Sequence, residues 1–113
     1  MAPTDLKCPA SEQVLSDQEA RHRFAAVCKA LAHPVRVQIV HYLMQIDRCV
    51  CGRIVELLPL AQSTVSQHLK ILKASGLVRG EVEGPCTCYC LDPTVLAEFK
   101  NYIRHHFQPG FKA

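Results

Sequence analysis

No stretch of this 113-residue chain is long and apolar enough to span a bilayer. Its first residues, MAPTDLKCPASEQ, lack the basic-then-apolar pattern of a secretory signal, so a cytoplasmic protein is expected. The Cys-x-x-Cys redox motif is missing, and no acid–base constellation sits in a pocket-forming context; an enzyme is therefore not expected. Internal repeats and low-complexity segments are missing too. Strong charge of either sign is lacking: the formal net charge of +3 is too small to identify a polyanionic partner by itself. The length fits one domain with a modest core, which dimerisation would help to stabilise.

Cysteine, by contrast, is plentiful. There are seven: Cys8, Cys28, Cys49, Cys51, Cys86, Cys88 and Cys90. A disulfide framework fits poorly, because the count is odd and five of the seven lie in strained Cys-x-Cys spacings. In a cytosolic chain such clusters point first to metal or metalloid ligation and second to a thiol redox switch.

Residues 1–15 mix Pro, Ser, Thr and charge without periodicity, as a flexible arm does. Ser16 and Glu19 have the spacing of a capping box and open a helix to about Leu31. Its apolar stripe is Phe24, Val27, Cys28 and Leu31, which makes Cys28 a small buried hydrophobe. His33-Pro34 restarts the chain as a second helix to about Gln45, with Val35, Ile39, Val40 and Leu43 inward and Arg36 and His41 on the wet side. Ile46–Cys51 is rich in β-compatible residues. Ile54, Val55, Leu57 and Leu58 suggest a brief third helix that Pro59 stops.

The next stretch, AQSTVSQHLKILKASGLV at 61–78, organises the rest. Val65, Leu69 and Leu72 recur at i, i+4, i+7 and give one buried stripe. Gln62, Ser63, Thr64, Ser66, Gln67 and His68 crowd hydrogen-bonding groups at the N-terminal end. Gln pairs bidentately with adenine, and Ser or Thr reaches bases or phosphate. Lys70, Lys73 and Arg79 are placed to meet phosphate. The blander alternative is a solvated helix face. A short turn at Pro59–Ala61 joins this helix to the one before it, which makes a helix-turn-helix. Leu77–Val82 and Cys86–Leu91 then form a hairpin about Glu83-Gly84-Pro85. Asp92-Pro93 starts a fifth helix with Leu96, Phe99, Ile103 and His106 or Phe107 in one stripe. The expectation is mainly α with a small β wing: a winged helix-turn-helix over 16–108, of five helices plus a β-hairpin, with a tail over 109–113.

Three stretches, ALAHPVRVQIVHYL, RCVCGRIVELLPLAQSTVSQHLKILKASGLVRG and EGPCTCYCL, resemble the ArsR/SmtB family of bacterial repressors over roughly residues 20–107. Ser63–Lys70 and Cys49-Val50-Cys51 are the most specific parts. The resemblance implies a homodimer formed by the first and last helices. It implies binding to palindromic double-stranded operator DNA and release when a metal or metalloid binds. Three departures stand out. Ala61 takes a position where the family often has a capping Ser. Ile54 takes the third place of a Cys-Val-Cys-x-x-Cys pattern. The wing carries Glu81 and Glu83 beside Arg79.

The resemblance also implies that the segment before the third helix pairs with the second wing strand. Residues i and i+2 of a strand share a face, so Cys49 and Cys51 would then meet Cys88 and Cys90. Three thiolates suit arsenite or antimonite; four suit zinc, cadmium or lead. The leading ligand set is Cys49 and Cys51 with Cys88 or Cys90. Cys8 is a rival third ligand, reaching the Cys49/Cys51 pair of the other subunit as in cadmium- or lead-sensing relatives. Cys86 is less suited, since a straight strand puts it roughly 13 Å from Cys90. Other readings are a thiol redox repressor, a cadmium, lead or zinc sensor on the same fold, and a zinc module that binds protein. His105 and His106 are adjacent and point different ways on a helix.

Overall fold

The computed structural model describes residues 15–46, 50–51, 54, 58–83 and 86–109. Among them are α1 (Asp17–Ala30), α2 (Pro34–Ile46), β1 (Val50–Cys51), α3 (Gln62–Ala74), β2 (Val78–Glu83), β3 (Cys86–Leu91) and α4 (Pro93–His106). The sequence predicts five helices; four are present among the described residues. The expected third falls largely outside them, although Ile54 is helical and both Ile54 and Leu58 are buried. The predicted arm over 1–15 and tail over 109–113 also lie outside, apart from Leu15 and Pro109.

Local chemistry starts the helices. At α1 the Ser16 hydroxyl accepts from the Glu19 amide (3.1 Å), and the Ser16 amide donates to the Glu19 carboxylate (2.9 Å). These bonds form the expected capping box and hold the Glu19 carboxyl below its ordinary pKa. At α4 the Asp92 carboxylate accepts from the amides of Thr94 (2.9 Å) and Val95 (3.2 Å), with Pro93 in the first turn. α2 opens with Pro34, and the His33 ring takes the capping place: its Nδ1 accepts from the Val35 amide at 3.1 Å. α3 ends where Gly76 adopts φ +87°, the left-handed region that a residue with a Cβ resists.

One core gathers Val27 and Ala30 of α1, Ile39, Val40 and Leu43 of α2, Val65, Leu69 and Leu72 of α3, and Leu77, Val78 and Val95. α3 packs against β2 and α2, and α1 packs against α4. Each fully buried Val or Leu contributes about 1.5–3 kcal/mol. Two expectations fail in detail. Cys28 is exposed rather than buried. Val27 holds the centre of the buried stripe, and one step along a helix turns a side chain about 100° away. Arg36 is half-buried rather than on the wet side, whereas His41 is exposed as expected.

The wing is more than a hairpin. β1, β3 and β2 form a three-stranded antiparallel sheet in that order, with Val50 opposite Tyr89 and Cys51 opposite Cys88. On the other side of β3, Arg79 pairs with Cys90, Glu81 with Cys88 and Glu83 with Cys86. The segment before the third helix thus pairs with the second wing strand. Along α4, Val95 is buried and Leu96 and Phe99 are partly so, while Ile103 and Phe107 are exposed. No helix among the described residues is long and apolar enough to cross a membrane.

Candidate nucleic-acid interface and cysteine site

α3 separates its two faces cleanly. Val65, Leu69 and Leu72 are buried, and Gln62, Ser63, Thr64, Ser66, Gln67, Lys70 and Lys73 are exposed. The first turn is uncapped: Ala61 stands at the N-cap with extended backbone and offers no side-chain acceptor. Its free amides and the positive end of the helix dipole suit an anion such as phosphate. The exposed set therefore combines amide, hydroxyl and cationic groups beside a helix terminus, chemistry of the kind that base edges and phosphate accept.

Three of the expected contact residues lie against neighbours within the protein. Lys73 lies back across β2, where a Cβ built on Gly80 would stand 3.1 Å from its Cδ and 3.2 Å from its Nζ. Glycine at position 80 is what admits this approach. Arg79 points to the foot of the wing, with Nη1 3.3 Å from the Asp92 carboxylate, which is itself buried. His68 is half-buried. Its Nδ1 lies 3.2 Å from Arg36 Nη1, and its ring tilts against His33 with centroids 4.5 Å apart. Burial first, then the neighbouring His33 and Arg36, holds the His68 imidazole below its ordinary pKa.

The cysteines divide by position. Cys88 and Cys90 are buried on one face of β3. Cys88 is a thiol, whereas Cys90 is disulfide-bonded. Cys51 is described in backbone only, directly opposite Cys88, and Cys86 in backbone only, opposite Glu83. Cys8 and Cys49 lie outside the described residues. No group of three metal-ligating side chains occurs among the described residues. The expected four-thiol set spans described and undescribed positions.

The α3 helix with its preceding turn and wing is matched by known proteins. The family of bacterial regulatory proteins called the arsR family matches residues 33–79. HlyU from Vibrio cholerae N16961 is 30% identical and superposes with a TM-score of 0.62, over 83% of this chain and 100% of that one. The chain belongs to the arsR family. Within it, the chain is 51% identical over 63 residues to the HTH-type transcriptional repressor SmtB of Mycobacterium tuberculosis. That match takes in 56% of this chain and 46% of SmtB, so the chain spans about half the length of that relative. A crystal structure described as a possible transcriptional regulator for arsenical resistance is 26% identical, with a TM-score of 0.63 over 74% of this chain and 84% of that one.

Two residues of this arsR-family chain escape sequence reasoning: His33 and Arg36. The Arg36–His68 contact joins residues 32 apart in sequence, and no local spacing announces it. His33-Pro34 reads as a helix restart, but nothing in the sequence indicates that the His33 ring both caps α2 and leans on α3.

Proposed function

We propose that this chain is a transcriptional repressor that binds an inverted-repeat operator as a homodimer and leaves it when arsenite or antimonite binds cysteine thiolates. The observation that carries the DNA-binding part is α3: a buried Val65–Leu69–Leu72 stripe beneath an exposed row of Gln62, Ser63, Thr64, Ser66, Gln67 and Lys70. Two such helices, about one DNA turn apart in a dimer, match two half-sites. The dimer uses α1 and α4. Phe24 stacks on Phe99 and Tyr102 with centroids 5.1 and 4.3 Å apart, and beside them Ile103 and Phe107 present bare apolar surface.

The effector part rests on the pairing of β1 with β3. Cys51 stands opposite Cys88, a buried thiol, and thiolate donors select soft ions such as trivalent arsenic. The ligands are Cys49 and Cys51 with Cys88. Cys90 joins only after its disulfide is reduced. When bound, the ion ties β1 and β3, already paired, to one centre, and the change in the wing reaches the recognition helix. A coupling of about 2.7 kcal/mol weakens DNA binding about 100-fold. Gel shifts with Cys49→Ser, Cys51→Ser and Cys88→Ser test the assignment. Each variant should stay on DNA when arsenite is added; normal release from any of them removes that residue from the site.

A second reading has its own observation. Cys90 is disulfide-bonded, the oxidised state that a thiol redox repressor would reach on leaving DNA. Release by peroxide, reversal by a phosphine reductant and indifference to arsenite would favour it. Release by cadmium, lead or zinc in preference to arsenite would instead favour a four-thiolate sensor on the same fold.

A further inference from the structure

We propose that Arg36 is a positioning residue for DNA reading: its guanidinium fixes His68 as the Nε2–H tautomer, so that α3 offers a hydrogen-bond donor at that position. The inference rests on the reading of α3 as the helix that enters the groove. It concerns a contact within the subunit, between α2 and α3.

The geometry is built in two steps. Arg36 Nε donates to the carbonyl of Ala30, the last residue of α1, at 2.6 Å. That carbonyl is one of the four that a helix end leaves without an internal partner, and a cation there also complements the negative end of the helix dipole. The bond is short and charge-assisted, so it sets the plane of the guanidinium. Nη1 of the same group then lies 3.2 Å from His68 Nδ1. Arginine has donors only and keeps its charge in proteins. In that contact Nδ1 must accept and carries no proton. A neutral imidazole has one N–H, which therefore resides on Nε2. The His33 ring packs against His68 on another side, and its own Nδ1 is occupied by the Val35 amide, so the stack is held from the α1–α2 turn as well. The lowered pKa of His68 agrees with a ring kept neutral beside a cation.

The consequence is chemical. With Nδ1 occupied, Nε2–H is the polar atom His68 has left, and it can only donate. It suits guanine N7 or O6, adenine N7, thymine O4 or a phosphate oxygen, and it cannot accept from adenine N6 or cytosine N4. Arg36 thus contributes to DNA recognition without touching DNA. Lysine in its place keeps the charge but lacks the planar fork that spans Ala30 O and His68 Nδ1 together.

The test has two arms. Long-range nitrogen–proton NMR on the DNA-free wild-type protein reads the tautomer directly. A bare Nδ1 and a protonated Nε2 on His68 near neutral pH are expected; an Nδ1–H form or an even mixture overturns the proposal. In Arg36→Lys and Arg36→Ala, checked for folding by circular dichroism, the two tautomers should mix; in Arg36→Ala, which also removes the charge, the His68 pKa should rise part of the way toward its ordinary value. The second arm compares an inverted-repeat operator with random duplex. Arg36→Lys should lose about tenfold in operator affinity, the worth of one hydrogen bond, with little change on random DNA. Unchanged operator affinity overturns the proposal. An equal loss on both duplexes assigns the donor to phosphate and overturns the base-reading part. Should the wild-type protein show no preference for any inverted repeat, the groove-entry reading fails, while the NMR arm still decides the Arg36–His68 assignment.

Discussion

At the scale of single residues, backbone geometry and protonation lead to separate outcomes. Gly76 sits at φ +87°, and a Cβ there meets Val95 Cγ2 at an ordinary 3.9 Å, so the strain of Gly76→Ala is in the backbone rather than in a clash. The substitution should lower unfolding free energy by about 1–2 kcal/mol, read as a shift of the urea midpoint at constant slope. His68 makes stability pH-dependent in a direction that can be worked out. Its folded pKa lies below the ordinary value, so the unfolded chain binds the proton more readily. Its contribution is therefore complete above the ordinary imidazole pKa of about 6.5, and it is lost as pH falls through the lowered folded value. Protonation removes the lone pair that accepts from Arg36, while His33 stands against the same ring. Urea midpoints taken from about pH 7 down to about pH 5 should fall more steeply for the wild-type protein than for His68→Gln. Equal slopes would show that His68 is not the group responsible. Residue-scale detail was also where the sequence misled. Cys28 lies four residues from Phe24 and three from Leu31, a spacing that fits the α1 stripe, yet Val27 takes the buried place. A helical period of 3.6 leaves such flanking positions ambiguous, and only the packing partner resolves them.

Elements were far more legible. The Ser16–Glu19 box, Pro34, and Asp92-Pro93 each state their helix start in local chemistry, and all three starts are present. The Val65, Leu69, Leu72 stripe was readable for the same reason, because a dry face repeats at helical spacing. The sheet was not readable in this way. β1 has two residues, and its pairing with β3 lies across 37 positions between Cys51 and Cys88, so that pairing came from family resemblance alone. The α3 N-terminus offers a direct test at this scale. Ala61 leaves the first turn without a side-chain acceptor. Ala61→Ser should stabilise the fold by about 1 kcal/mol, measurable as a higher urea midpoint. If the free amides serve phosphate, the same change should leave DNA affinity unchanged or lower it, since the serine hydroxyl competes for them. A stabilised variant with tighter DNA binding would indicate that helix order, rather than amide availability, limits binding.

For the whole molecule, one surface and one coupling carry the account. α1 and α4 share the stacked rings of Phe24, Phe99 and Tyr102, and Phe107, 64% exposed, adds a tilted contact to Phe24 at 5.8 Å. An apolar patch of this kind on a small domain is a place for a partner, and in the proposed homodimer a second copy would bring two α3 helices to one operator. Phe107→Glu and Ile103→Glu should yield monomers in sedimentation velocity and lose inverted-repeat binding together. A variant that remains dimeric would move the interface elsewhere.

The coupling between thiols and DNA is the central claim, and fluorescence anisotropy on a labelled inverted-repeat duplex tests it most directly. The protein is first reduced with a phosphine, which opens the Cys90 disulfide without supplying competing thiols. Arsenite should then weaken operator affinity about 100-fold in the wild-type protein and leave Cys51→Ser and Cys88→Ser bound. Unchanged affinity of the reduced wild-type protein across the arsenite titration would contradict the account.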